Sequence, residues 1–483
     1  MPFTIQDGLL LFASILGIGG LLGVATELRR RGWHAGSTRR VVHVGVGGFV
    51  ATTPWLFSGP GPVCVLAVGF VLLNGTARIR GWWPSVHAAR PESWGTVALP
   101  LAVLPAAAGT WAVGPDRILA FQAAFLVVAV ADPLAGWVGE YVGGDPLLGT
   151  ATREGTGAFA AATGVLVGGL LAIAGESPGR IGFGAALTAG GATAVEALSQ
   201  RGWDNLFVVC AVSLVLVPLI EGESTVVSAV GAVTAGMGFA GAARWTGALT
   251  TEGAVGGGLF AASLVGLGGV EWILPGLAFF VLSSALSRLP RSTNAEEAGA
   301  RSLGQVLANG GVAGGMLFVY ALAPGEAAGL RDGAYVGFLG ALAAAAADTW
   351  ATELGTRYGG PPWSLREWKQ VARGTSGAVS VAGTGAGILG ALSVAGAAVA
   401  AGGEGGGPFE VLLGIVTTGG LVGMLVDSVA GATIEIAPDA STTDRRDGKS
   451  GHSRREAVGL GNQGVNLLGT AVGALVAAGL WAL

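Results

Sequence analysis

Charged residues are scarce in this chain of 483 amino acids. Lysine, arginine, aspartate and glutamate together make up 12% of the sequence, whereas hydrophobic residues make up 51%. That imbalance excludes a soluble enzyme and indicates an integral membrane protein. A helix that crosses the hydrocarbon region needs about 20 apolar residues, so the chain has room for about sixteen spans with short loops.

Cysteine is also rare. The sequence contains two cysteines, Cys64 and Cys210, and both lie in apolar runs. Neither a disulfide framework nor a cysteine metal site is therefore expected.

The apolar runs predict an all-α polytopic membrane protein with two helical transmembrane domains of about eight spans each. We place these domains at 1–221 and 222–483, because the acidic break Glu221-Gly222-Glu223-Ser224 interrupts the apolar runs there. The predicted spans are 8–26, 42–58, 61–77, 96–112, 118–138, 156–174, 181–199, 204–220, 225–243, 251–269, 272–287, 303–323, 333–351, 376–401, 409–431 and 463–482.

Basic residues are distributed unevenly among the loops between these spans. Alternate loops hold 23 of the 26 lysines and arginines, and only Arg117, Arg180 and Arg331 fall in the other set. The positive-inside rule predicts that the basic loops are cytoplasmic and that the N-terminus is outside. The predicted location is the cytoplasmic (inner) membrane, crossed many times.

One pattern occurs twice, at 131–144 and 347–360. Both copies have the spacing Asp-x2-Ala-x3-Gly-x3-Gly, beginning at Asp132 and Asp348. On a helix these offsets share one face, with the carboxylate at one end of a stripe of small residues. Glycine numbers 88 in the chain, so the stripe alone is explained by tight helix packing in a membrane. An Asp beside an apolar span is costly unless it has a function, so the repeated Asp predicts two related active sites.

A Gly-Thr pair follows each copy, at Gly155-Thr156 and at Gly374-Thr375, and an arginine precedes each pair, Arg153 and Arg373. Backbone N–H groups, a hydroxyl and a cation before a helix can hold phosphate without a Walker sequence. The positive-inside assignment puts both loops in the cytoplasm, where nucleotides are.

Other polar residues of the first half also lie at span ends. Arg40 and His43 are three residues apart on one predicted helical face, although His43 can also be explained as a histidine of the core. Glu154 precedes the first Gly-Thr pair. Glu196 ends one predicted span, and Asp204-Asn205 begins the next.

These motifs together resemble the phytol kinase and dolichol kinase family over about residues 10–221. The resemblance rests on Arg39-Arg40-x2-His43-x-Gly45, Asp132-x2-Ala135-x3-Gly139, Glu154-Gly155-Thr156 and Glu196…Asp204-Asn205-Leu206. It implies a membrane enzyme that phosphorylates a polyprenyl alcohol, usually from CTP.

Residues 225–483 resemble a different family, whose plant members are phytyl-phosphate kinases. The matching signatures are Leu249-Thr250, Phe279-Phe280-x2-Ser283-Ser284, Arg301-x3-Gln305-Val306-Leu307-Ala308-Asn309-Gly310-Gly311, Asp348-x4-Glu353-x-Gly355, Val371-x2-Gly374-Thr375-Ser376-Gly377, Asp427-Ser428-x2-Gly431-Ala432 and Asn462-x3-Asn466. The resemblance implies that the second half adds a phosphate to a prenyl monophosphate.

Several polar residues of the second half are expected at membrane depth or at span ends, where polar groups are rare unless paired or functional. They are Asp348, Glu353, Asp427, Asn309 and Asn466. An interhelical hydrogen-bond network also explains Asn466. Carboxylates together with phosphates form the usual Mg²⁺ shell, so Asp348 and Asp427 are predicted metal ligands.

The expected activity is sequential phosphorylation of an isoprenoid alcohol, such as phytol or geranylgeraniol, to its monophosphate and then to its diphosphate. The predicted catalytic residues are Asp132, Glu196 and Asp204 in the first half and Asp348, Glu353 and Asp427 in the second. Which of them acts as base and which as metal ligand stays open; Mg²⁺ is the expected cofactor, with Asp132, Asp204, Asp348 and Asp427 as candidate ligands. The candidate substrate-binding and nucleotide-binding residues are Arg40, His43, Arg153, Glu154, Gly155, Thr156, Asn205, Gln305, Asn309, Arg373, Gly374, Thr375, Asn462 and Asn466.

The expected partners are CTP or another nucleoside triphosphate, the isoprenoid alcohol, its monophosphate and the lipid bilayer. No nucleic-acid partner is expected. Two alternatives stay open: an enzyme resembling cytidylyltransferases that forms a CDP-activated lipid, although the usual C-terminal signature with paired Gly-His and Asp-Arg is absent, and a membrane transporter.

Overall fold

The computed structural model describes residues 4–80, 93–143, 146–148, 151–199, 201–221, 223–288, 299–323, 327–373, 375–403, 408–434 and 461–483. Contacts between residues divide the chain into two units. The first comprises Met1–Ala242 and Ala254–Gly266, and the second comprises Ala243–Gly253 and Leu267–Leu483. The domain boundary predicted at 221/222 from the acidic break stays a prediction.

The first half of the chain is helical apart from one short hairpin. Its elements are α1 (Ile5–Arg30), α2 (Ala35–Leu56), α3 (Pro60–Ile79), α4 (Gly95–Gly109), a 3₁₀ turn (Pro115–Arg117), α5 (Ile118–Leu126), a π-helical segment (Val127–Ala131), α6 (Asp132–Val142), β1 (Pro146–Leu148), β2 (Ala151–Thr152), α7 (Arg153–Ile173), α8 (Pro178–Leu198) and α9 (Asp204–Glu221).

The second half repeats this plan in part. Its elements are α10 (Glu223–Trp245), α11 (Thr251–Leu267), α12 (Val270–Ser287), α13 (Leu303–Leu322), α14 (Ala328–Tyr358), β3 (Trp363–Ser364), β4 (Ala378–Val379), α15 (Val381–Ala400), α16 (Phe409–Thr433) and α17 (Asn462–Trp481). Each pair of strands is antiparallel.

The described helices confirm the all-α polytopic prediction. Twelve of them are long and apolar enough to cross a membrane, and Gly95–Gly109 and Thr251–Leu267 are shorter apolar helices. Each predicted span falls on a helix, if α5, the π-helical segment and α6 are taken as one rod. The predicted bounds err most at α14, expected at 333–351 and observed at Ala328–Tyr358.

One helix is central to each unit. In the first unit this is the rod from α5 to α6, which packs against α2, α7 and α9. In the second unit it is α14, which packs against α12, α13, α15, α16 and α17. Residues Val336–Ala347 of α14 are almost completely buried, because alanine and glycine let the neighbouring backbones approach closely.

Helix α14 is longer than one crossing of the hydrocarbon requires. At 1.5 Å per residue its 31 residues span about 46 Å, more than the roughly 30 Å of a bilayer core. Part of α14 therefore extends beyond the hydrocarbon, and Asp348 marks the end of its continuously buried stretch.

The same helix crossing follows the central helix in both units. In the first unit, Thr152 is the N-cap of α7, and its hydroxyl accepts a hydrogen bond from Gly155 N. In the second unit, Ser380 is the N-cap of α15, and its hydroxyl accepts a hydrogen bond from Gly383 N. A Cβ at Gly155 would lie 2.8 Å from Ala135 O. A Cβ at Gly383 would lie 3.0 Å from Ala351 O. Only glycine allows two helix backbones to come this close without displacement.

We expect Gly383→Ala to destabilise the protein by about 1–3 kcal/mol, because its new methyl group overpacks against the backbone of α14. Gly385→Ala is the matched control on the same helix, since nothing lies within 4 Å of its Cβ position. Chemical denaturation in detergent micelles measures both. Equal stabilities of the two variants would contradict the close crossing.

Candidate functional site

Ends of six helices enclose a cavity of about 720 Å³ in the second unit. Its wall combines the C-terminal ends of α12, α14 and α16 with the N-terminal ends of α13, α15 and α17, together with the hairpin loop. The unit's up-and-down helix order thus brings sequence-distant polar residues together at one end of the bundle.

Nine of the residues predicted for the second site line this cavity. They are Gln305, Asn309, Asp348, Glu353, Arg373, Thr375, Asp427, Asn462 and Asn466. Gly374, also predicted, lies outside the described residues. One pocket therefore collects side chains that are up to 161 positions apart in the sequence (305 to 466).

Two carboxylates on different helices face the cavity, Asp348 on α14 and Asp427 on α16. When the amide of Asn466 is oriented with its nitrogen as the donor, that nitrogen lies 3.1 Å from Asp427 Oδ2 and 2.9 Å from Asn462 Oδ1. Asn466 thereby holds Asp427 from the first turns of α17. The hydrogen-bond network expected as an alternative for Asn466 is present beside the cavity.

Three helices begin at this cavity, and each N-terminus presents the positive end of its dipole. In α13 the side chains of Ser302 and Gln305 form a capping box, with Gln305 Oε1 accepting from Ser302 N at 2.9 Å. The Gln305 amide oxygen is therefore occupied by the helix cap. Gly461, which precedes α17, provides no side-chain cap.

Cations line the same wall. Arg301 and Arg288 are on the side of α12 and α13, and Arg373 is exposed in the hairpin loop. Burial lowers the pKa of the Arg301 guanidinium, and the nearby Glu353 carboxylate opposes that shift. Arg301 belongs to a signature of the family resemblance, but the sequence pattern does not assign it to the site.

Gly377 fixes the hairpin loop against α16. Its φ of +70° is the left-handed region that favours glycine. A Cβ there would collide with Ser428 O and with the backbone of Ala432. Any other residue would push the loop that carries Thr375 away from Asp427.

In the first unit, His43 joins α2 to the central helix. Its Nε2 lies 3.0 Å from Val128 O in the π-helical segment and 3.4 Å from Asp132 Oδ2. Because a carbonyl oxygen only accepts, Nε2 carries a proton and points it at the backbone. The imidazole thus ties α2 to the π-helical segment and lies beside the carboxylate of Asp132 at the start of α6.

Two further acids come close to Asp132. Asp204, at the first residue of α9, interacts electrostatically with Asp132, His43 and Arg39. Glu196, near the end of α8, interacts with Asp132 and Asp204. The three predicted catalytic carboxylates of the first half therefore form one cluster.

The remaining candidates of the first half surround this cluster less closely. Arg40 forms an ion pair with Glu140 on α6. Arg153 and Glu154 are exposed in the first turn of α7. The amide nitrogen of Asn205 donates to Gly95 O at 3.4 Å, which ties α9 to α4.

Gly155 and Thr156 begin α7 rather than a free loop. Gly155 is the glycine of the helix crossing, and the Thr156 hydroxyl is buried without a partner among the described residues. The predicted pairing of Gly155-Thr156 with Gly374-Thr375 as phosphate-binding turns stays a prediction, because Gly374 lies outside the described residues. In the second unit, the residues in the equivalent place are Gly383 and Thr384, because the longer loop between β3 and β4 displaces the cap to Ser380. The shared spacing Thr152-x2-Gly155 and Ser380-x2-Gly383 was the signal that could have found them.

Among the described residues, no three histidine, cysteine, aspartate or glutamate side chains converge as a self-sufficient metal site. Magnesium needs less from the protein, since one or two carboxylates plus substrate phosphates complete its shell. The pair Asp348 and Asp427, which lines one cavity, fits that requirement.

Taken together, the fold and the polar cavity at one end of a helical bundle define an α-helical, multi-pass integral membrane protein. Residues 233–474 match the family described as "Integral membrane protein DUF92", and the chain belongs to this family.

Two relatives show the extent of the similarity. An uncharacterized membrane protein of Methanocaldococcus jannaschii is 30% identical over 238 residues, which cover 47% of this chain and 84% of that protein. Protein PGR of Arabidopsis thaliana is 29% identical over 228 residues, which cover 40% of this chain and 75% of PGR. No solved structure matches the chain.

We expect His43→Leu to lower the free energy of unfolding by about 1–3 kcal/mol, because it removes the side-chain partner of Val128 O and the imidazole beside the Asp132 carboxylate. His43→Gln keeps an N–H donor, so it should lower the free energy of unfolding clearly less. Denaturation of both variants in micelles measures the difference. If leucine and glutamine are equivalent, the contacts of His43 Nε2 do not contribute to stability.

Proposed function

We propose that this protein phosphorylates an isoprenoid alcohol, such as phytol or geranylgeraniol, twice in succession, using a nucleoside triphosphate, with CTP as the expected donor. The first unit would make the monophosphate and the second the diphosphate. The observation that carries this proposal is the repeated constellation: a central helix with Asp132 or Asp348 crosses a second helix at Gly155 or Gly383.

The cavity of the second unit has the groups that phosphoryl transfer requires. Catalysis of this reaction is mainly positioning and charge stabilisation. The acceptor oxygen bonds to the γ-phosphorus as the bond to the nucleoside diphosphate breaks, and a proton goes to a carboxylate only when the acceptor phosphate still carries one. Asp348 and Glu353 on the last turns of α14 are the carboxylates available for that proton.

Mg²⁺, when bound, would neutralise charge on the transferring phosphoryl group. Asp348 and Asp427 would hold it in the second unit, and Asp132 and Asp204 in the first. Asn466 would keep Asp427 in place from the side through its hydrogen bond.

The donor phosphates would bind near the hairpin. Arg373 and Thr375 line the cavity there, beside Ser380, which caps the first turn of α15. In the first unit, Arg153 at the start of α7 is the corresponding cation. Helix N-termini favour anions through both their unpaired N–H groups and their dipole.

A membrane enzyme suits these substrates for a chemical reason. The alcohol, the monophosphate and the diphosphate share a long apolar chain, so each stays in the bilayer between the two steps. The monophosphate would reach the second site by lateral diffusion. The nucleotide is soluble, which agrees with candidate loops rich in arginine on the proposed cytoplasmic side.

The proposed topology predicts labelling from one side only. In a protein with Cys64 and Cys210 replaced by alanine, Leu365→Cys in the hairpin loop should be shielded from an impermeant thiol reagent added outside intact cells. Ala327→Cys, between α13 and α14, should react. Labelling of position 365 and protection of position 327 would reverse the topology.

The proposed division of labour predicts opposite defects for two matched variants. Asp132→Asn removes a negative charge, and it should slow consumption of the alcohol by about 10²- to 10⁴-fold while supplied monophosphate is still converted. Asp348→Asn should let the monophosphate accumulate. Mixing the two variants in one membrane should restore diphosphate formation.

Product analysis with labelled geranylgeraniol and CTP measures these outcomes. Asp116→Asn, before α5, and Asp332→Asn, the fifth residue of α14, are controls that should leave both steps unchanged. A CDP-lipid product, or no product at all, would reject the kinase proposal. Loss of both steps in either folded single variant would mean that the halves do not act separately.

A further inference from the structure

One wall of the cavity in the second unit carries hydrogen-bond donors from the end of α12 and the beginning of α13. We call Ser284, Ser287, Arg288 and Arg301 the serine–arginine edge; all four line the cavity. Two hydroxyls and two guanidinium groups at one edge are suited to an anion with several acceptor oxygens.

Ser284 is the most informative member of the edge. Its side chain is 8% exposed, and within the described part of the chain its buried hydroxyl makes no hydrogen bond. A buried hydroxyl without a partner costs free energy, and a hydroxyl facing a cavity can recover that cost from a ligand. Ser284 therefore points to a ligand in the cavity.

Arg301 is held in place before any ligand binds. Its backbone N–H donates to Ala248 O at 3.0 Å, and its carbonyl accepts from Thr250 N at 3.0 Å. Its Nη2 lies 3.4 Å from Ser287 Oγ, and Glu353 interacts with the guanidinium electrostatically. A guanidinium has five N–H donors, so this pairing leaves donors for a phosphate.

The surroundings of the edge indicate how its ligand arrives. Before its last turn α12 exposes Leu277, Val281 and Leu282, as expected of a helix against lipid tails, and Leu277 and Val281 lie seven and three residues before Ser284 on the same helical face. Ser284 and Ser287 follow on the next turn of that helix. Arg373 and Thr375, by contrast, lie in an exposed hairpin loop, which a soluble molecule reaches from water.

We propose that the serine–arginine edge binds the phosphate of the lipid monophosphate acceptor, with the apolar chain of that lipid running along α12. The ligand class is a phosphomonoester carrying a long apolar chain. This subsite rests on the proposed function of the second unit, and it divides the cavity into an acceptor side at α12 and a donor side at the hairpin.

The test compares Michaelis constants for the two substrates, using the full chain in membranes with geranylgeranyl monophosphate and CTP. Arg301→Gln should raise the KM for the monophosphate by about 10- to 100-fold and leave the KM for CTP within about 2-fold. Ser284→Ala should raise the acceptor KM by about 3- to 10-fold. Arg373→Ala should show the reverse pattern.

Two controls separate binding from folding. Arg331→Gln removes an arginine of the same unit that packs on Tyr320 outside the cavity, and it should change neither constant. Ser284→Ala removes a hydroxyl that has no partner, so it should melt no lower than the parent protein. If Arg301→Gln fails to fold, the KM of Ser284→Ala for the monophosphate is the measurement that tests the subsite.

A binding measurement separates this proposal from the proposed function. Geranylgeranyl monophosphate should raise the melting temperature of the parent protein more than geranylgeraniol does, and Ser284→Ala should need more monophosphate for the same rise. Those results support the subsite even if no diphosphate forms. An increased KM for CTP alone, or unchanged monophosphate binding in both edge variants, would overturn it.

Discussion

The close approach of two helix backbones governs both candidate sites. In each unit the carbonyl of an alanine on the central helix, Ala135 or Ala351, faces a glycine in the first turn of the next helix. That contact places the helix N-terminus, with its unpaired N–H groups, one turn of helix away from Asp132 or Asp348. If the crossing widened, the carboxylate and the helix N-terminus would no longer face the same space.

A second constraint is the cost of polar groups inside a bilayer. The chain has few charges, and its candidate residues concentrate where helices end: the last turns of α12, α14 and α16 and the first turns of α13, α15 and α17. Small residues fill the membrane interior of α14, so that interior can pack tightly without polar contacts. The bundle thus separates a packed apolar interior from a polar chamber at one end.

Much of this arrangement was predictable from sequence, because spans and repeats have strong signals. The sequence motifs include Asp348, Gln305, Asn309 and Asp427, and all four residues line the cavity. The hairpins were missed, since strands of two or three residues have no periodicity to detect. The N-cap Ser380 cannot be matched to the N-cap Thr152 by sequence spacing, because the loop between β3 and β4 is longer than the loop between β1 and β2. Only the fold shows that these two residues are equivalent. Ser284 was not assigned to the site, since nothing in a sequence reveals that a hydroxyl lacks a partner.

The π-helical segment Val127–Ala131 precedes Asp132, whereas α14 continues as an α-helix through Asp348. A π turn holds one residue more than an α turn, and it is the usual way in which a helix absorbs a single inserted residue. An alignment of the two halves therefore needs a one-residue gap just before the aspartate. Upstream of that gap, matching positions by simple offset would compare residues on different helix faces. From the aspartate onward, the two copies of the stripe keep the same register.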